Sequence, residues 1–156
     1  MTGLLDELED QERRLVFDAF DEQTAWTVGV ALRDAGLAAE LPIAISIRRN
    51  GQELFHAALP GASADNDGWL ARKSAVVDRY GQSSLRVGET FRVRGGSFDT
   101  DSRLDTQAYA AHGGAFPILI NGTGCIGTIA VSGLPQLEDH QLVVDTLEAI
   151  LGHSSV

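Results

Sequence analysis

Two apolar segments rich in β-branched residues, at positions 116–120 and 124–131, flank the dipeptide Asn121-Gly122. Asn-Gly is the strongest short-range signal for a β-hairpin, because both residues tolerate the positive φ that a tight turn requires. We therefore predict that the chain folds back here as an antiparallel hairpin. This hairpin limits the fold to one built around an antiparallel sheet.

The register of the hairpin places several polar residues at one end of the sheet. With the turn centred near Gly122, Phe116 lies opposite Ile129, and residues 112–114 approach the end of the second strand. The helix predicted from about Leu137 begins at the same end. The residues that we expect to gather at this pole are His112, Ser132, Asp139 and His140.

This pole has two interpretations. Glycine allows close backbone approach, and a helix N-terminus offers unpaired N–H groups that suit an anion, so Gly113 and Gly114 beside the helix indicate a ligand site. In the other interpretation the glycines only form turns, Asp139 complements the helix dipole, and the histidines are ordinary polar side chains.

Residues 122–127 match the glycine pattern of dinucleotide-binding loops letter for letter. That pattern binds a pyrophosphate only where a helix follows the glycines. A strand is predicted here at 128–131, so we reject nucleotide binding by this segment. Cys125 is the only cysteine, and its place in the strand pattern predicts a small core side chain.

Composition limits the functional classes. A length of 156 residues predicts one domain over residues 1–156, and 44% hydrophobic with 22% charged residues is typical of a globular protein. The formal net charge of −10 argues against nucleic acid or an anionic membrane surface as partner. The N-terminus lacks the pattern of a signal peptide, and no apolar run is long enough to span a bilayer, so we expect a cytoplasmic protein.

Hydrophobic periodicity predicts the other elements. They are helices at 4–15, 21–39, 65–80, 85–94 and 137–151, strands at 15–17 and 43–48, a hairpin turn at Asn50-Gly51, a polar loop at 97–106, and a helical turn at 109–112. Asp21 is the N-cap candidate of the second helix and Ser83 or Ser84 that of the fourth. Apolar residues alternate within 85–94, so a strand is also possible there. The cross-strand pairs predicted around the Asn50-Gly51 turn are Ile47 with Leu54, Ile45 with His56, and Arg48 with Glu53. This register puts His56 on the apolar face, where a histidine is more often a packed neutral side chain than a ligand.

Lys73 lies on the apolar face of the 65–80 helix, one turn after Trp69. Such a lysine must extend to solvent, pair with a carboxylate or meet an anionic ligand, and we expect it to extend to solvent. Arg72 and Lys73 are nevertheless the best cationic candidates for binding an anion in this acidic chain.

Known catalytic and metal-binding spacings are absent from the sequence. One cysteine and four scattered histidines, at positions 56, 112, 140 and 153, predict no metal site. The chain has no G-x-S-x-G elbow and no Walker loop. The predicted pole still allows Ser132 to pair with His112 or His140 as nucleophile and base, and it allows either histidine to ligate haem.

Several segments together carry a family resemblance. They are Asp65-Asn66 with Trp69 and Arg72-Lys73, Ser83-Ser84, His112-Gly113-Gly114 with Pro117-Ile118, and Ser132-Gly133-Leu134-Pro135-Gln136 with Asp139-His140. On these motifs the chain resembles, from about residue 16 to 151, the uncharacterised proteins grouped with the haem-degrading domain, relatives of HbpS, GlcG and the PduO C-terminal domain. The resemblance implies an α+β fold with profilin-like α/β/α layers around a five-stranded antiparallel sheet. It also implies homo-oligomers and contact with haem or another tetrapyrrole.

Three functional hypotheses follow. In the first, a cytoplasmic homo-oligomer binds a small anionic ligand, such as a tetrapyrrole, at the pole. Its candidate residues are His112, Gly113, Gly114, Ser132, Asp139 and His140, with Arg72 and Lys73 as carboxylate partners. In the second, the chain is a non-catalytic assembly or adaptor protein, a role that the resemblance links to a chaperone pathway, and Trp26 and Trp69 are interface anchors. In the third, it is a hydrolase or isomerase with His112 or His140 as base.

Overall fold

The computed structural model describes residues 3–152. In chain order its elements are α1 (Leu4–Arg14), α2 (Glu22–Ala38), β1 (Ala44–Arg49), β2 (Gln52–Ala58), α3 (Ala64–Tyr80), α4 (Ser84–Val93), α5 (Phe98–Asp101), β3 (Ala115–Ile120), β4 (Gly124–Ser132) and α6 (Gln136–Leu151). The four strands form one antiparallel sheet in the order β2-β1-β4-β3. Within these residues no helix is both long and apolar enough to cross a membrane.

The two faces of the sheet differ in side-chain size. Large apolar residues such as Ile47, Phe116 and Ile129 point to one face and form the main core with α2 and α6. Small residues such as Ala115 and Ala130 point to the other face, where α3 packs. Small side chains let a helix lie close to the strands, so α3 covers the middle of the sheet. The α+β class and the antiparallel sheet in an α/β/α arrangement are confirmed.

The prediction of five strands is wrong, because the sheet has four. The segment predicted as a strand at 15–17 contributes only an isolated parallel bridge between Phe17 and Ile120. Its backbone makes two hydrogen bonds there, from Phe17 N–H to the Leu119 carbonyl and from Asn121 N–H to the Phe17 carbonyl, each 2.8 Å long. The segment is too short to extend the ladder, because the Asp21 cap of α2 follows within four residues.

The β3–β4 hairpin forms in the predicted register, with Phe116 opposite Ile129. A strand and not a helix follows the glycines, as expected. The prediction that Cys125 is a core residue is wrong, because its side chain is exposed. Cys125 pairs with Leu119 next to a bulge close to the turn, and it lies near Gly81, the residue at which α3 ends.

The predicted register of the β1–β2 hairpin is wrong for two of three pairs. Arg48 pairs with Glu53 as expected, but a bulge after Ile47 shifts the remaining pairs, so that His56 lies opposite Ser46. Successive strand residues point to opposite faces, and a shift of one residue therefore moves a side chain across the sheet. His56 consequently faces the polar side and bonds to Asp67, not the apolar core.

The five long predicted helices are all present, within a few residues of their predicted ends. Asp21 caps α2 and Ser83 caps α4 through side-chain oxygens that accept backbone N–H groups, as the sequence indicated. The segment predicted as a polar loop contains the short helix α5, which is held by the buried ring of Phe98. The helical turn predicted at 109–112 does not form, and this segment runs as irregular chain into β3.

Candidate functional site

The predicted pole contains a cleft of about 220 Å³, which we call the pole cleft. It lies between the first half of α3, the 112–113 segment, the end of β4 and the start of α6. Its lining residues are Asp65, Asn66, Trp69, Lys73, His112, Gly113, Ser132, Gly133, Leu134, Gln136 and Asp139. The hairpin register brings these groups together, because a hydrogen bond of 2.9 Å from Val131 N–H to the Gly114 carbonyl holds the 112–114 segment beside the end of β4.

Helix α3 supplies one row of side chains to the cleft. Asn66, Trp69 and Lys73 are spaced three and four residues apart and therefore share a helix face. The backbone N–H of Ser63 donates to Asn66 Oδ1 at 2.9 Å, and this bond sets the orientation of the amide. Asn66 Nδ2 then lies 3.5 Å from the Ser132 hydroxyl across the cleft.

The floor of the cleft is a buried ion pair. Lys73 Nζ lies 3.2 Å from Asp139 Oδ2, and it also donates to the carbonyl oxygens of Gly113 at 3.0 Å and Val131 at 2.6 Å. Burial lowers the pKa of Lys73 and raises the pKa of Asp139, and in each residue the charge of the partner opposes the shift. The expectation that Lys73 extends to solvent is wrong. Since its three N–H groups are all used, it braces the site and has no donor left for a ligand.

Gly113 and Gly114 allow the chain to pack closely around this ion pair. Gly113 N–H donates to Gln136 Oε1 at 2.9 Å, and this bond ties the segment to the start of α6. Gly114 has φ +137°, and a Cβ atom at this position would overlap both Lys73 Nζ and the Val131 carbonyl oxygen. Only glycine lets the chain pass this close to the buried ammonium group.

Three side chains in contact, His112, Trp69 and Arg72, lie at the side of the cleft, and we call them the Trp69 cluster. The His112 ring lies 5.3 Å from the Trp69 ring in an edge contact, and the Arg72 guanidinium lies 4.4 Å above the indole. His112 is exposed and Trp69 is half-buried. Arg72 Nε is buried without a hydrogen-bond partner, and Arg72 has no carboxylate within 4 Å among the residues that the structure describes. The cluster therefore holds a cation that no acidic side chain neutralises.

His140 does not join the pole cleft, and its predicted place there is wrong. Adjacent helix residues point about 100° apart, so Asp139 faces the cleft while His140 points into the core. Its ring packs near Phe116, and its Nε2 lies 2.7 Å from Gln11 Oε1 of α1. Burial lowers the pKa of His140 to about 4, which keeps the ring neutral.

Two other candidate residues occupy distinct places. Ser132 lines the cleft, but its one side-chain hydrogen bond within residues 3–152 is the long contact with Asn66, and neither His112 nor His140 bonds to it. A nucleophile–base pair is therefore not assembled.

Trp26 lies on the outer side of α2, 53% exposed, with its ring edge against Phe55. His153 lies outside the described residues.

Sequence similarity identifies the family of this chain. The model of the family described as haem degrading protein HbpS-like matches residues 20–148. The chain belongs to this family. A UPF0303 protein of Streptomyces coelicolor is 56% identical over 94% of this chain and 92% of its own length, and a UPF0303 protein of Serratia proteamaculans is 47% identical over 96% and 93%.

Solved structures share the fold. The crystal structure of Ybr137w superposes with a TM-score of 0.88 at 34% identity, covering 97% of this chain and 90% of that chain. A PduOC:heme complex superposes with a TM-score of 0.66 at 19% identity, covering 84% and 94%, and this likeness concerns the fold alone.

Sequence reasoning did not select Asn66 and Gln136 as site residues. Both amides line the cleft, and both bond to backbone N–H groups through their oxygen atoms. The available signal was their presence in the motifs that carry the family resemblance. An amide has no charge to attract notice, and its role is visible only when its hydrogen-bond partners are placed.

Proposed function

We propose that this chain binds a small organic anion in the pole cleft. The observation that carries the proposal is the orientation of two amides. The oxygen of Asn66 accepts Ser63 N–H and the oxygen of Gln136 accepts Gly113 N–H, so the NH₂ groups remain as donors. Among residues 3–152 the NH₂ group of Gln136 has no side-chain partner, and that of Asn66 makes only the 3.5 Å contact with Ser132. A cleft that offers hydrogen-bond donors suits an acceptor-rich ligand, of which a carboxylate is the commonest organic example.

The formal charges around the cleft sum to zero, because Asp65 and Asp139 on the lining are matched by Lys73 on the lining and by Arg72, which does not line the cleft but lies over Trp69. An anion therefore meets no net negative charge there. Lys73 and Asp139 neutralise each other in the floor. Arg72 remains beside the cleft without a carboxylate partner in the described part of the chain, and the face of Trp69 holds its guanidinium in place. Arginine in a fixed plane can receive a carboxylate through two parallel hydrogen bonds. The Trp69 ring and the exposed His112 ring then provide apolar and aromatic contact for the body of the ligand.

Haem is the ligand suggested by the description of the family and by the name of the PduOC:heme complex. A cleft of about 220 Å³ is smaller than the roughly 300–1,000 Å³ of sites that enclose drug-sized ligands. One copy of this cleft therefore does not enclose a porphyrin. His112 is the described histidine exposed at the cleft, and contact with a tetrapyrrole would be confined to that rim. The donors in the cleft fit a smaller carboxylate better.

Fluorescence titration tests the proposal, because the chain has two tryptophans and a Trp26→Phe background leaves Trp69 as the reporter. The probes are benzoate, succinate and haemin. We expect saturable quenching by at least one small carboxylate, with affinity reduced about tenfold or more by Gln136→Leu together with Asn66→Leu. The absence of saturable quenching with every probe, or unchanged affinity in the double variant, would overturn the proposal.

Haemin is followed separately through its Soret band. A saturable shift that disappears in His112→Ala extends the ligand class to tetrapyrroles. Small carboxylates that bind while haemin does not restrict it to organic acids.

Self-assembly is a second candidate function, and the exposure of Trp26 favours it. Trp26 is 53% exposed on α2, and together with Val30 and Ala31 it lines a shallow depression. Tryptophan is enriched among the residues that dominate the binding energy of protein interfaces. The helix also exposes 47% of Leu37. Multi-angle light scattering of Trp26→Gln against Trp69→Phe tests this. Dissociation in the Trp26 variant alone supports an α2 interface, and an unchanged mass argues against it.

A further inference from the structure

A second cleft, of about 350 Å³, lies on the opposite side of α3 from the pole cleft, and we call it the hairpin cleft. Its lining residues are Ser46, Arg48, Glu53, His56, Asp67, Leu70, Ala71 and Ser74. Helix α3 packs mainly on β1, β3 and β4 and makes few contacts with the edge strand β2. The open edge of the sheet and the side of α3 therefore form the two walls.

The walls carry paired polar groups. His56 Nε2 lies 2.7 Å from Asp67 Oδ1, which joins β2 to α3. The Ser46 hydroxyl donates to Glu53 Oε2 at 2.7 Å, which joins β1 to β2. In each pair only one carboxylate oxygen has a side-chain partner within hydrogen-bond distance among residues 3–152, so a second oxygen on each acid stays available to a ligand.

The charge of the hairpin cleft is negative. Asp67 and Glu53 contribute −2 and Arg48 contributes +1, which leaves −1 while His56 is neutral. Arg48 is also occupied, because its Nη2 donates to the Gly51 carbonyl at 2.7 Å and its Nη1 lies 4.0 Å from Glu53. This charge disfavours the organic anion proposed for the pole cleft and favours a cation.

Ser74 gives an independent indication of a ligand. It lines this cleft, it is only 3% exposed, and its Oγ is buried without a hydrogen-bond partner within the described residues. A buried hydroxyl is rarely left unpaired, because it loses its hydrogen bonds to water without replacement. A ligand hydroxyl can both donate to and accept from this group.

We propose that the hairpin cleft binds a small amino alcohol, with its ammonium group held by the carboxylates of Asp67 and Glu53 and its hydroxyl held by Ser74. The alkyl carbons lie against Leu70 and Ala71, the apolar part of the wall. The site is independent of the pole cleft, because α3 presents Asn66, Trp69 and Lys73 on one side and Asp67, Leu70 and Ser74 on the other.

A ¹H–¹⁵N NMR titration tests the proposal with four probes that distinguish the contribution of the ammonium group from that of the hydroxyl group. They are ethanolamine, ethylamine, ethylene glycol and acetate. We expect saturable shifts of the amides of residues 46–56, a segment that borders the hairpin cleft and not the pole cleft, with ethanolamine. We expect about fivefold weaker binding of ethylamine, and no saturable shifts of these amides with ethylene glycol or acetate.

Two variants complete the test. Ser74→Ala removes a hydroxyl that has no partner and therefore leaves the fold intact. In this variant ethanolamine should bind only as tightly as ethylamine, while ethylamine affinity stays unchanged. Asp67→Asn keeps an acceptor for His56 and should weaken both amines about tenfold. The proposal is overturned if neither amine shifts the amides of residues 46–56, if ethylene glycol or acetate shifts these same amides with the affinity of ethanolamine, or if Ser74→Ala leaves the ratio of the two amine affinities unchanged.

Discussion

Lys73 Nζ lies 3.2 Å from Asp139 Oδ2, and the two side chains are 3% and 4% exposed, respectively. This pair joins α3 to the first turn of α6 across the end of β4. Asp139 also accepts the backbone N–H of Leu134 at 3.1 Å, which holds the loop that leads into the helix. The pole cleft therefore keeps its shape through a charge pair that is itself unavailable to a ligand.

Breaking the pair should destabilise the protein strongly. Lys73→Met leaves Asp139 buried without its counter-ion, and a loss of about 3–5 kcal/mol in the free energy of unfolding is expected. The double variant Lys73→Met with Asp139→Leu removes both charges and should recover most of this loss. Urea denaturation measures the free energies. Arg33→Met, which disrupts the exposed pair with Asp34, is the control and should change stability by about 0.5 kcal/mol or less. Additive effects in the double variant would contradict the interpretation.

Gly114 should not tolerate a side chain. Its φ of +137° disfavours any Cβ, and the atom would also overlap the Val131 carbonyl and Lys73 Nζ. Gly114→Ala should therefore cost more than about 2 kcal/mol of stability. Gly124→Ala is the matched control, because Gly124 also has positive φ, +111°, but has open space around it. Gly114→Ala should have a clearly lower melting temperature and a smaller free energy of unfolding than Gly124→Ala. Equal losses of stability in the two variants would show that backbone strain alone decides the cost.

His140 should make stability depend on pH between about 6.5 and 4. Burial lowers the pKa of His140 from 6.5 to about 4, so the unfolded chain binds a proton in this range before the folded chain does. The stabilising contribution is complete above pH 6.5 and is lost as the pH falls toward 4, by up to about 3 kcal/mol. His140→Gln keeps a side-chain amide near Gln11 and does not titrate. The stability difference between the wild type and this variant should fall with decreasing pH in urea denaturation, and a difference independent of pH would refute the assignment.

Arg72 should control the affinity of the pole cleft for anions. Arg72→Gln removes the cation beside Trp69, so the affinity for a small carboxylate should fall about tenfold and depend less on salt concentration. Arg79→Gln is the matched control, since Arg79 also lies over an aromatic ring, but that ring is Tyr109, which, unlike Trp69, does not line the cleft. Titration by Trp69 fluorescence at low and high ionic strength distinguishes the two variants. Equal effects of both substitutions would indicate a general loss of positive charge.

The elements of the fold could be predicted where the signals are local. Asn121-Gly122 set the turn of the β3–β4 hairpin, Asp21 and Ser83 marked helix starts, and the spacing of apolar residues indicated the long helices. Such signals depend on the conformational preferences of residues close together in the chain, and these preferences do not require knowledge of the tertiary structure. The register of the β1–β2 hairpin could not be predicted, because the bulge after Ile47 moves His56 to the other face with no signal in the residue types.

The sequence predicted that residues 112–114 lie near Ser132 and the start of α6. The hairpin register and the short segment between β4 and α6 leave few other arrangements. Which neighbour each polar side chain meets was decided by tertiary structure alone. Asp139 and His140 are adjacent in sequence, yet one closes the ion pair with Lys73 and the other contacts Gln11. The physical reason is that burial makes an unpaired charge costly, so a buried lysine must find its carboxylate, and only the packed helices determine which carboxylate lies within reach.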